Sequence, residues 1–266
     1  MSGFSSEWLA LREPIDHSAR SEEIISALRH YFLNDWKLVI TDIGSGTGST
    51  IRALRPVMSQ ELTWHLIDYD DSLLTEAKKH AEDDHIMFTK ADLAQGLDAV
   101  FQPDPDLITT SAFLDLVSLN WLENFVDQIT RQRIPFYAAI TYDGRAHCTP
   151  KHEDDEQLLQ AFNTHQRTDK GFGPALGPAA ADTAITLFEQ AGYTVCKAES
   201  DWKANSEHNE FQRQLLDGWR NAAIEIYPEK QGVFDAWFSK RETLIAENQN
   251  AVLVGHKDFL AVPASS

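Results

Sequence analysis

The sequence predicts a doubly wound α/β domain, in which strands of a mostly parallel sheet alternate with helices. Three observations support this prediction. Short apolar runs alternate along the chain with longer segments whose apolar residues recur at helical spacing. A glycine-rich loop joins the first of these runs to the helix that follows, as in domains that bind nucleotide-like ligands. With 266 residues and 42% hydrophobic content, the chain suits one large core with insertions better than two independent domains.

The glycine-rich loop lies within residues 39–49, which read Val-Ile-Thr-Asp-Ile-Gly-Ser-Gly-Thr-Gly-Ser. The apolar half of this segment predicts a buried strand, and Thr50 to Met58 predicts the next helix. Alternate glycines can adopt backbone angles closed to other residues and let a ligand lie against main-chain amides. Dinucleotide-binding enzymes use a similar loop, but their fingerprint needs its third glycine where this chain has Ser49. The three glycines are Gly44, Gly46 and Gly48.

Carboxylates follow the next two predicted strands. Leu62 to Asp68 ends on an acid twenty residues after Gly48, and this acid can accept hydrogen bonds from both hydroxyl groups of a ribose. Ile86 to Lys90 predicts the third strand. It is followed by Asp92, which can bind an exocyclic amine, and by Leu93, which can contact a purine face. The pattern therefore favours a ligand that contains adenine and ribose.

At this point the chain resembles the class I methyltransferases that use S-adenosylmethionine, over roughly residues 18–145 and the C-terminal strands. The resemblance implies a three-layer α/β/α sandwich with a seven-stranded mixed sheet, whose last strand is antiparallel and lies beside the fifth. The motifs that carry the resemblance are Asp42-Ile43-Gly44-Ser45-Gly46-Thr47-Gly48, Leu66-Ile67-Asp68-Tyr69-Asp70, Ala91-Asp92-Leu93 and the apolar run through Ser111.

The resemblance also implies the cofactor and the residues that bind it. The glycine loop would carry the methionine part of S-adenosylmethionine, Asp68 the ribose, and Asp92 with Leu93 the adenine. Ser111 would lie beside the amino group and the sulfonium methyl. A nicotinamide or flavin enzyme on a similar sheet is the alternative, although the glycine spacing and Asp92 speak against it. The predicted cofactor-binding residues are Arg20, Asp42, Gly44, Ser45, Gly46, Gly48, Asp68, Tyr69, Asp92, Leu93 and Ser111.

Helices and the remaining strands follow from apolar periodicity and from end signals such as Ser21 before Glu22 and Glu23. The predicted strands after the third are Asp106 to Ser111, Phe136 to Tyr142, Tyr193 to Glu199 and Asn250 to Lys257. The predicted helices are one that begins at Ser21, Asp71 to His80, Leu119 to Arg131, Glu156 to Phe162, Ala179 to Gln190, Ser206 to Tyr227 and Phe234 to Ala246.

A single domain over residues 1–266 would carry three additions. Residues 12–35 begin with a polar stretch that would close over the cofactor, where Arg20 would bind the cofactor carboxylate or form a surface ion pair with Asp16 or a glutamate. Residues 143–180 are too long for a βα loop and are rich in polar, Gly and Pro residues, so they predict a cap over the substrate. Residues 202–247 predict a helical insertion before the last strand.

The acceptor is predicted to be a hydroxyl or an amine of a small molecule. Methyl transfer is an in-line displacement in which positioning supplies most of the catalysis, but a hydroxyl acceptor also needs a base. Histidine has a suitable intrinsic pKa. His147, the histidine nearest to the fifth strand, is the predicted base, with Tyr142 and Asp143 as orienting neighbours. His152 and His165 are alternatives, and for each of the three histidines the competing interpretation is a solvated loop residue. The predicted substrate contacts are Asn163, His165, Arg167 and Lys170.

Two further alternatives concern the end of the fourth strand. Asp115, Asp143 and His147 could hold Mg²⁺. Similar metal-dependent enzymes, however, have a carboxylate at this strand end and an Asp-Asn pair after the fifth strand, where this chain has Ser111 and Asp143-Gly144, so no metal is predicted. Enzymes that methylate exocyclic amines of bases or glutamine amides have an Asn or Asp and two prolines there. This chain instead has Ser111-Ala112-Phe113-Leu114.

The amino-acid composition limits which partners and which compartment are expected. The chain has a net charge of −18 and a pI of about 4.8. It therefore lacks the broad positively charged surface that binds a phosphate backbone, and no nucleic-acid partner is predicted. The two cysteines, Cys148 and Cys196, predict free thiols in a cytoplasmic protein. No apolar stretch approaches the roughly 20 residues of a membrane span. A protein or glycan methyltransferase and a noncatalytic S-adenosylmethionine-binding protein remain as alternatives, and the oligomeric state is open.

Overall fold

A computed structural model describes residues 4–81 and 85–264. Within these residues the strands are β1 (Lys37–Ile43), β2 (Glu61–Asp68), β3 (Ile86–Lys90), β4 (Leu107–Ser111), β5 (Phe136–Thr149), β6 (Tyr193–Glu199), β7 (Trp202–Ala204) and β8 (Ala251–Pro263). The helices are α1 (Ser6–Ala19), α2 (Glu22–Tyr31), α3 (Ser49–Leu54), α4 (Asp71–Lys79), α5 (Leu119–Gln132), α6 (Asp155–His165), α7 (Ala180–Gln190), α8 (Asn209–Ile226) and α9 (Gln231–Ala246). None of the helices in this part of the chain is long and apolar enough to cross a membrane.

The strands form one mixed sheet in the order β3-β2-β1-β4-β5-β8-β6. The pairings from β3 to β5 are parallel, and β8 runs antiparallel to both β5 and β6. The mixed sheet with its antiparallel last strand beside the fifth is therefore confirmed. The structure adds β7, a short strand inside residues 202–247 that pairs with β8. Three residues are too few to show the alternation by which a strand is recognised.

Helices cover both faces of the sheet and produce the three layers. One core cluster lies under α2, α3, α4, α8 and α9, and a second lies under α5 and α7. Strand β5 shows how both cores arise, because successive side chains on a strand point to opposite faces. Phe136 and Ala138 belong to the second cluster, whereas Tyr137 and Ala139 belong to the first. The carboxyl ends of the parallel strands are thereby left as the edge on which a site can form.

The N-terminal segment is more regular than the sequence indicated. Residues read as a polar stretch up to Arg20 form most of α1, whose first turn is capped by the Ser5 hydroxyl as it accepts a hydrogen bond from the Trp8 amide. The inward face of α1 carries charged side chains, including the buried Asp16, and Pro14 lies inside the helix. Apolar periodicity is therefore weak in this segment. The predicted start of α2 is confirmed, since Ser21 accepts a hydrogen bond from the amide of Ile24.

Strand β5 continues to Thr149, beyond the predicted end at Tyr142. The first residues of the insertion 143–180 are thus strand rather than loop. This extension passes β4, whose last residue pairs with Ala139, and it forms a small antiparallel sheet with β8 and β7. Irregular register around residues 138–141 and 142–146 bends the strand. The polar run Asp143-Gly144-Arg145 interrupts the alternation and hides the extension in the sequence.

Candidate active site

The glycine loop lies at the carboxyl end of β1. From β1 the chain proceeds to β2 and β3 on one side of this strand, and it then crosses to β4 on the other side, so the strand order reverses here. Ligands of open α/β sheets bind at such a switch point. Gly44, Gly46 and Gly48 have φ values of +61°, +53° and +82°, in the left-handed region that favours glycine. A Cβ on Gly44 would lie 2.6 Å from the Phe113 ring, and one on Gly46 would lie 3.3 Å from Leu9. The loop is therefore held closely between α1 and the segment that follows β4.

Asp68, at the end of β2, is joined to the glycine loop. Its Oδ2 accepts a hydrogen bond of 2.7 Å from the Gly46 amide, and its Oδ1 accepts one of 2.9 Å from the Asp70 amide. Burial raises the pKa of this carboxyl. Tyr69, the next residue, is 53% exposed at the rim. Each carboxylate oxygen of Asp68 keeps a lone pair that could accept a further hydrogen bond.

Asp92 and Leu93 follow β3 and lie on the same edge. The Ala91 amide donates a 3.0 Å hydrogen bond to the Asp68 carbonyl, which fixes this turn beside the end of β2. Asp92 Oδ1 accepts from the Ala94 amide at 3.0 Å. Leu93 is buried, and its carbonyl accepts a 2.7 Å hydrogen bond from the indole of Trp121. The structure thus brings the predicted ribose and adenine residues to neighbouring turns.

Arg20 lies beside Ser111, at the end of β4. Its side chain is buried, with a residue exposure of 5%, and donates to Ser111 Oγ at 3.3 Å and to the Tyr137 hydroxyl at 3.2 Å. The Ser21 amide donates to Asp258 Oδ2, which also accepts from Tyr137. Arg20 Nε has no hydrogen-bond partner among residues 4–81 and 85–264. The guanidinium therefore lies inside the cleft beside Ser111, and not on the surface.

Asp42 lies near the end of β1, below the loop, and Ser45 lies in the loop itself. Asp42 is buried and accepts a 2.7 Å hydrogen bond from Thr109 Oγ1 on the neighbouring β4. Burial raises the pKa of Asp42 to about 7. The buried hydroxyl of Ser45 has no partner within the described part of the chain. Asp42 thus links β1 to β4 directly beneath the loop.

Helix α1 supplies contacts with the loop that the sequence analysis did not assign. His17 Nε2 lies 3.0 Å from Ser49 Oγ and 3.1 Å from the Ser49 carbonyl. Glu13 forms a two-pronged ion pair with Arg52 at 2.5 and 2.6 Å. Leu9, Glu13 and His17 recur every four residues, so they lie on one helical face. That spacing was a usable signal, but it requires first recognising the segment as a helix.

The cap residues meet the end of β5 in two linked groups. The buried Tyr142 donates a 2.8 Å hydrogen bond to Asn163 Oδ1, and Asn163 Nδ2 donates to the Gly144 carbonyl at 3.0 Å. His165 Nδ1 lies 3.2 Å from Lys170 Nζ, and its Nε2 lies 3.1 Å from a carboxylate of α8, that of Glu225. The exposed Arg167 donates to the carbonyl of Asn163 at 3.0 Å. The four predicted substrate contacts are therefore close together, on one side of Tyr142.

The structure does not bring His147 to this group. His147 pairs with Leu253 on β8, whereas Tyr142 pairs with His256. An odd spacing along β8 places the two pairs on opposite faces of the strand. The exposed His147 lines a cavity of about 240 Å³ with residues that include Lys203.

The carboxylate of Asp143 is bonded to Arg145. Its Oδ2 accepts from Arg145 Nε at 2.8 Å, and the same guanidinium reaches Asp201 at 2.9 Å. Within residues 4–81 and 85–264, no group of three or more His, Cys, Asp or Glu could hold a metal ion. The set of Asp115, Asp143 and His147 considered for Mg²⁺ therefore does not form a metal-ligand cluster.

Comparison with known proteins identifies the fold. No protein-family model and no curated protein sequence matches the chain. The YcgJ protein of Bacillus subtilis aligns with 14% identity and a TM-score of 0.53, over 92% of this chain and 100% of its own. The cyclopropane synthase MmaA2 of Mycobacterium tuberculosis aligns with 12% identity and a TM-score of 0.53, over 97% of this chain and 94% of its own. This chain has the class I methyltransferase fold.

A further solved structure with this fold is the phosphoethanolamine N-methyltransferase 2 of Haemonchus contortus, with 16% identity and a TM-score of 0.46. The match covers 91% of this chain, which spans about half, 52%, of that protein. At identities this low, the similarity of the two structures with TM-scores of 0.53 shows the fold alone, and the activity has to be argued from the site.

Proposed function

We propose that this protein transfers a methyl group from S-adenosylmethionine to a small-molecule acceptor. One observation carries the proposal: on a class I methyltransferase fold, the left-handed glycine loop, Asp68 and the Arg20–Ser111 pair converge at the switch point of the sheet. The loop amides would hold the methionine part and Arg20 its carboxylate. Asp68 would bind the ribose, and the turn after β3 would bind the adenine.

The chain's own groups fit this cofactor. Side chains at Gly44 and Gly46 would collide with Phe113 and crowd Leu9, so only bare backbone can form the floor of the site. Arg20 keeps a buried Nε–H without a partner in the described residues, which suits a carboxylate. The unpaired hydroxyl of Ser45 lies in the same loop. Buried donors without partners are uncommon in folded proteins, and a polar ligand would satisfy these.

The protein's part in the reaction would be mainly positioning. The cofactor, when bound, would supply an electrophilic methyl group on a sulfonium. The loop and Arg20 would fix one end of the cofactor and Asp68 the other, so that the methyl group points along one line toward the acceptor. Holding the reactants in such a geometry accounts for a large share of the rate enhancement in transfers of this kind.

A small acceptor is favoured because the rim is covered from two sides. Helix α1 contacts the glycine loop through Leu9, and the cap reaches the other side, where Phe172 and Phe113 have ring centroids 5.5 Å apart. A Cβ on Gly144 would lie 2.8 Å from Pro178, so the cap also packs closely on the β5 extension. A protein or glycan acceptor would need an open groove. The net charge of −18 disfavours nucleic acid.

Two measurements test this function. Isothermal titration of the purified protein with S-adenosylhomocysteine and with NAD should show binding of the first only. Incubation with methyl-labelled S-adenosylmethionine and a small-molecule cell extract should transfer label to a compound below the size of a protein. Absence of S-adenosylhomocysteine binding would contradict the proposal. Binding without transfer would indicate a noncatalytic sensor, and label on protein or polysaccharide would indicate the wider acceptor classes.

A further inference from the structure

Asp115 lies on the segment that connects the cofactor loop to the cap. This segment leaves β4 at Ser111 and places Phe113 against Gly44. A few residues later the Val117 carbonyl accepts a 2.8 Å hydrogen bond from the Leu176 amide of the cap. Asp115 is part of a single 3₁₀ turn between these two attachments, Leu114–Leu116. A side chain on this turn is therefore placed between the glycine loop and the cap.

The carboxylate of Asp115 is buried and incompletely bonded. The residue is only 8% exposed, and its Oδ1 has no hydrogen-bond partner among residues 4–81 and 85–264. Charged or titratable groups face it from three elements: Arg12 on α1, Lys170 in the cap and Tyr142 on β5. An unpaired carboxylate in a dry site is costly.

Each nearby cation has another hydrogen-bond partner. Arg12 Nε donates to Asp16 Oδ2 at 2.9 Å, and Lys170 Nζ contacts His165 at 3.2 Å. Burial outweighs the attraction of both and raises the pKa of Asp115 to about 6. The carboxyl is therefore mostly ionised at neutral pH while its Oδ1 stays unpaired. A cationic ligand would relieve this cost more than a neutral one.

The other buried titratable groups beside Tyr142 are poorly suited to accept a proton. His256 has Nδ1 at 3.0 Å from the Val254 carbonyl, and burial lowers the pKa of its ring to about 3. Burial raises the pKa of Tyr142, so its phenol keeps its proton and its hydrogen bond to Asn163. Asp115 is the described group at this place that combines burial, an open acceptor atom and ionisation at neutral pH.

We propose that the acceptor is a small primary or secondary amine, bound as its ammonium by Asp115, which then removes the proton. This inference rests on the proposed function and names the acceptor class of the same site. An N–H bond breaks and the proton moves to Asp115 Oδ1. The nitrogen lone pair then forms a bond to the methyl carbon as the carbon–sulfur bond breaks and its electron pair stays on sulfur. The products are an N-methylammonium and S-adenosylhomocysteine, and Asp115 returns its proton to water after release.

The test compares the wild type with Asp115→Asn, which keeps the shape and removes the base. Methyl-labelled S-adenosylmethionine is supplied with a cell extract that has been split on an acidic cation-exchange column into an amine fraction and a flow-through. The wild type should label the amine fraction, and Asp115→Asn should lower kcat/KM about 10²–10⁴-fold, the usual contribution of a general base. Label in the flow-through, or in neither fraction, overturns the amine assignment.

A readout independent of turnover separates a catalytic role from a structural one. The Kd of S-adenosylhomocysteine should stay within about twofold in Asp115→Asn. The acid limb of the wild-type kcat/KM profile, centred near pH 6, should be lost in that variant and persist in Asp115→Glu. Unchanged kcat/KM in Asp115→Asn, or an acid limb that persists in it, contradicts the assignment.

Asp127→Asn is the matched control. Asp127 lies on the exposed side of α5, where it pairs with Arg131 at 2.8 Å, and the control should behave as the wild type in every assay. If the wild type fails to bind S-adenosylhomocysteine, the proposed function fails. If it binds this compound but labels neither fraction, the proposed methyl transfer to a small molecule fails as well. If it labels the flow-through, or if the Asp115 variants differ from expectation, only the acceptor inference fails.

Discussion

The proposed cofactor half of the cleft, around the glycine loop, and the proposed acceptor half, around Asp115, are built in different ways. The cofactor half is mostly main chain: a glycine loop in left-handed conformation, fastened by a backbone amide to Asp68. The acceptor half consists of side chains from separate elements, with Asp115, Tyr142 and Lys170 facing one another. The glycine loop itself carries no charge, whereas the acceptor half includes the buried carboxylate of Asp115, whose Oδ1 lacks a partner among the described residues. Each half holds a carboxyl whose pKa is raised by burial, Asp42 beneath the loop to about 7 and Asp115 to about 6, so each should cost folding stability at neutral pH.

The largest expected effect is on the unfolding free energy, which the buried carboxylate of Asp115 should lower at neutral pH. Burial raises the pKa of Asp115 in the folded protein to about 6, above the ordinary aspartate value of 3.8. The folded protein therefore binds more protons than the unfolded chain between these values, and its stability falls as pH rises through this window. Asp115→Asn should remove the loss and raise the unfolding free energy at pH 8 by up to about 3 kcal/mol, from 1.36 kcal/mol per pKa unit.

Urea titrations at pH 4 and pH 8 measure this gain. The difference between Asp115→Asn and the wild type should be large at pH 8 and small at pH 4, with Asp127→Asn unchanged. If Asp115→Asn is instead less stable than the wild type at pH 8, the Asp115 carboxylate has its hydrogen-bond partners in the fold, and its burial does not cost the acceptor half stability.

The next effect concerns the cofactor half. Asp68→Ala should weaken S-adenosylhomocysteine binding by about 1.5–3 kcal/mol for each charge-assisted hydrogen bond lost. Titration calorimetry measures the change. Asp71→Ala removes an equal charge from the exposed first turn of α4 and should leave the affinity within a few tenths of a kcal/mol. Equal affinities of wild type and Asp68→Ala would show that the ribose does not bind at the end of β2.

The main-chain character of the loop can be tested at one glycine. Gly44→Ala must keep a φ of +61°, which costs about 1–2 kcal/mol for a residue with a Cβ, and must also displace the Phe113 ring. Both unfolding free energy and S-adenosylhomocysteine affinity should fall. Gly218→Ala is the control, because Gly218 lies inside α8 with open space at its Cβ position and the substitution should stabilise the protein slightly.

The smallest effect should be confined to the acceptor half. Tyr142→Phe removes the 2.8 Å hydrogen bond to Asn163 and should cost about 1 kcal/mol of unfolding free energy. It should also raise the KM of the acceptor while the Kd of S-adenosylhomocysteine stays unchanged. Tyr31→Phe, at a partly exposed position on α2, serves as the control. A weakened cofactor would contradict the separation of the two halves.

The same contrast explains what could be predicted from the sequence. The glycine loop and the acids after β2 and β3 belong to short segments next to strand ends, so local spacing was enough to find them. Strands β3 and β6 have the bounds that periodicity predicted. Where a site follows from the order of neighbouring residues, a single sequence is sufficient to find it.

The acceptor side needed the fold. The sequence analysis considered Asp115 only as a possible Mg²⁺ ligand, because the groups that approach it, Arg12 and Lys170, come from distant parts of the chain. His147 was chosen for its nearness to the fifth strand, but β5 continues through it and carries it to another face. Helix α1 was missed because its buried face is charged, whereas burial is normally read from apolar residues.

Helix α1 has a kinetic consequence. It touches the glycine loop through Leu9, binds Ser49 through His17 and pairs Glu13 with Arg52, so a molecule approaching the loop amides from that side must displace it. If S-adenosylmethionine binds there as proposed, its loading and release would wait for the detachment of this helix and would be slower than diffusion. Added salt, which screens a partly exposed ion pair, should speed that exchange without altering the floor of the site.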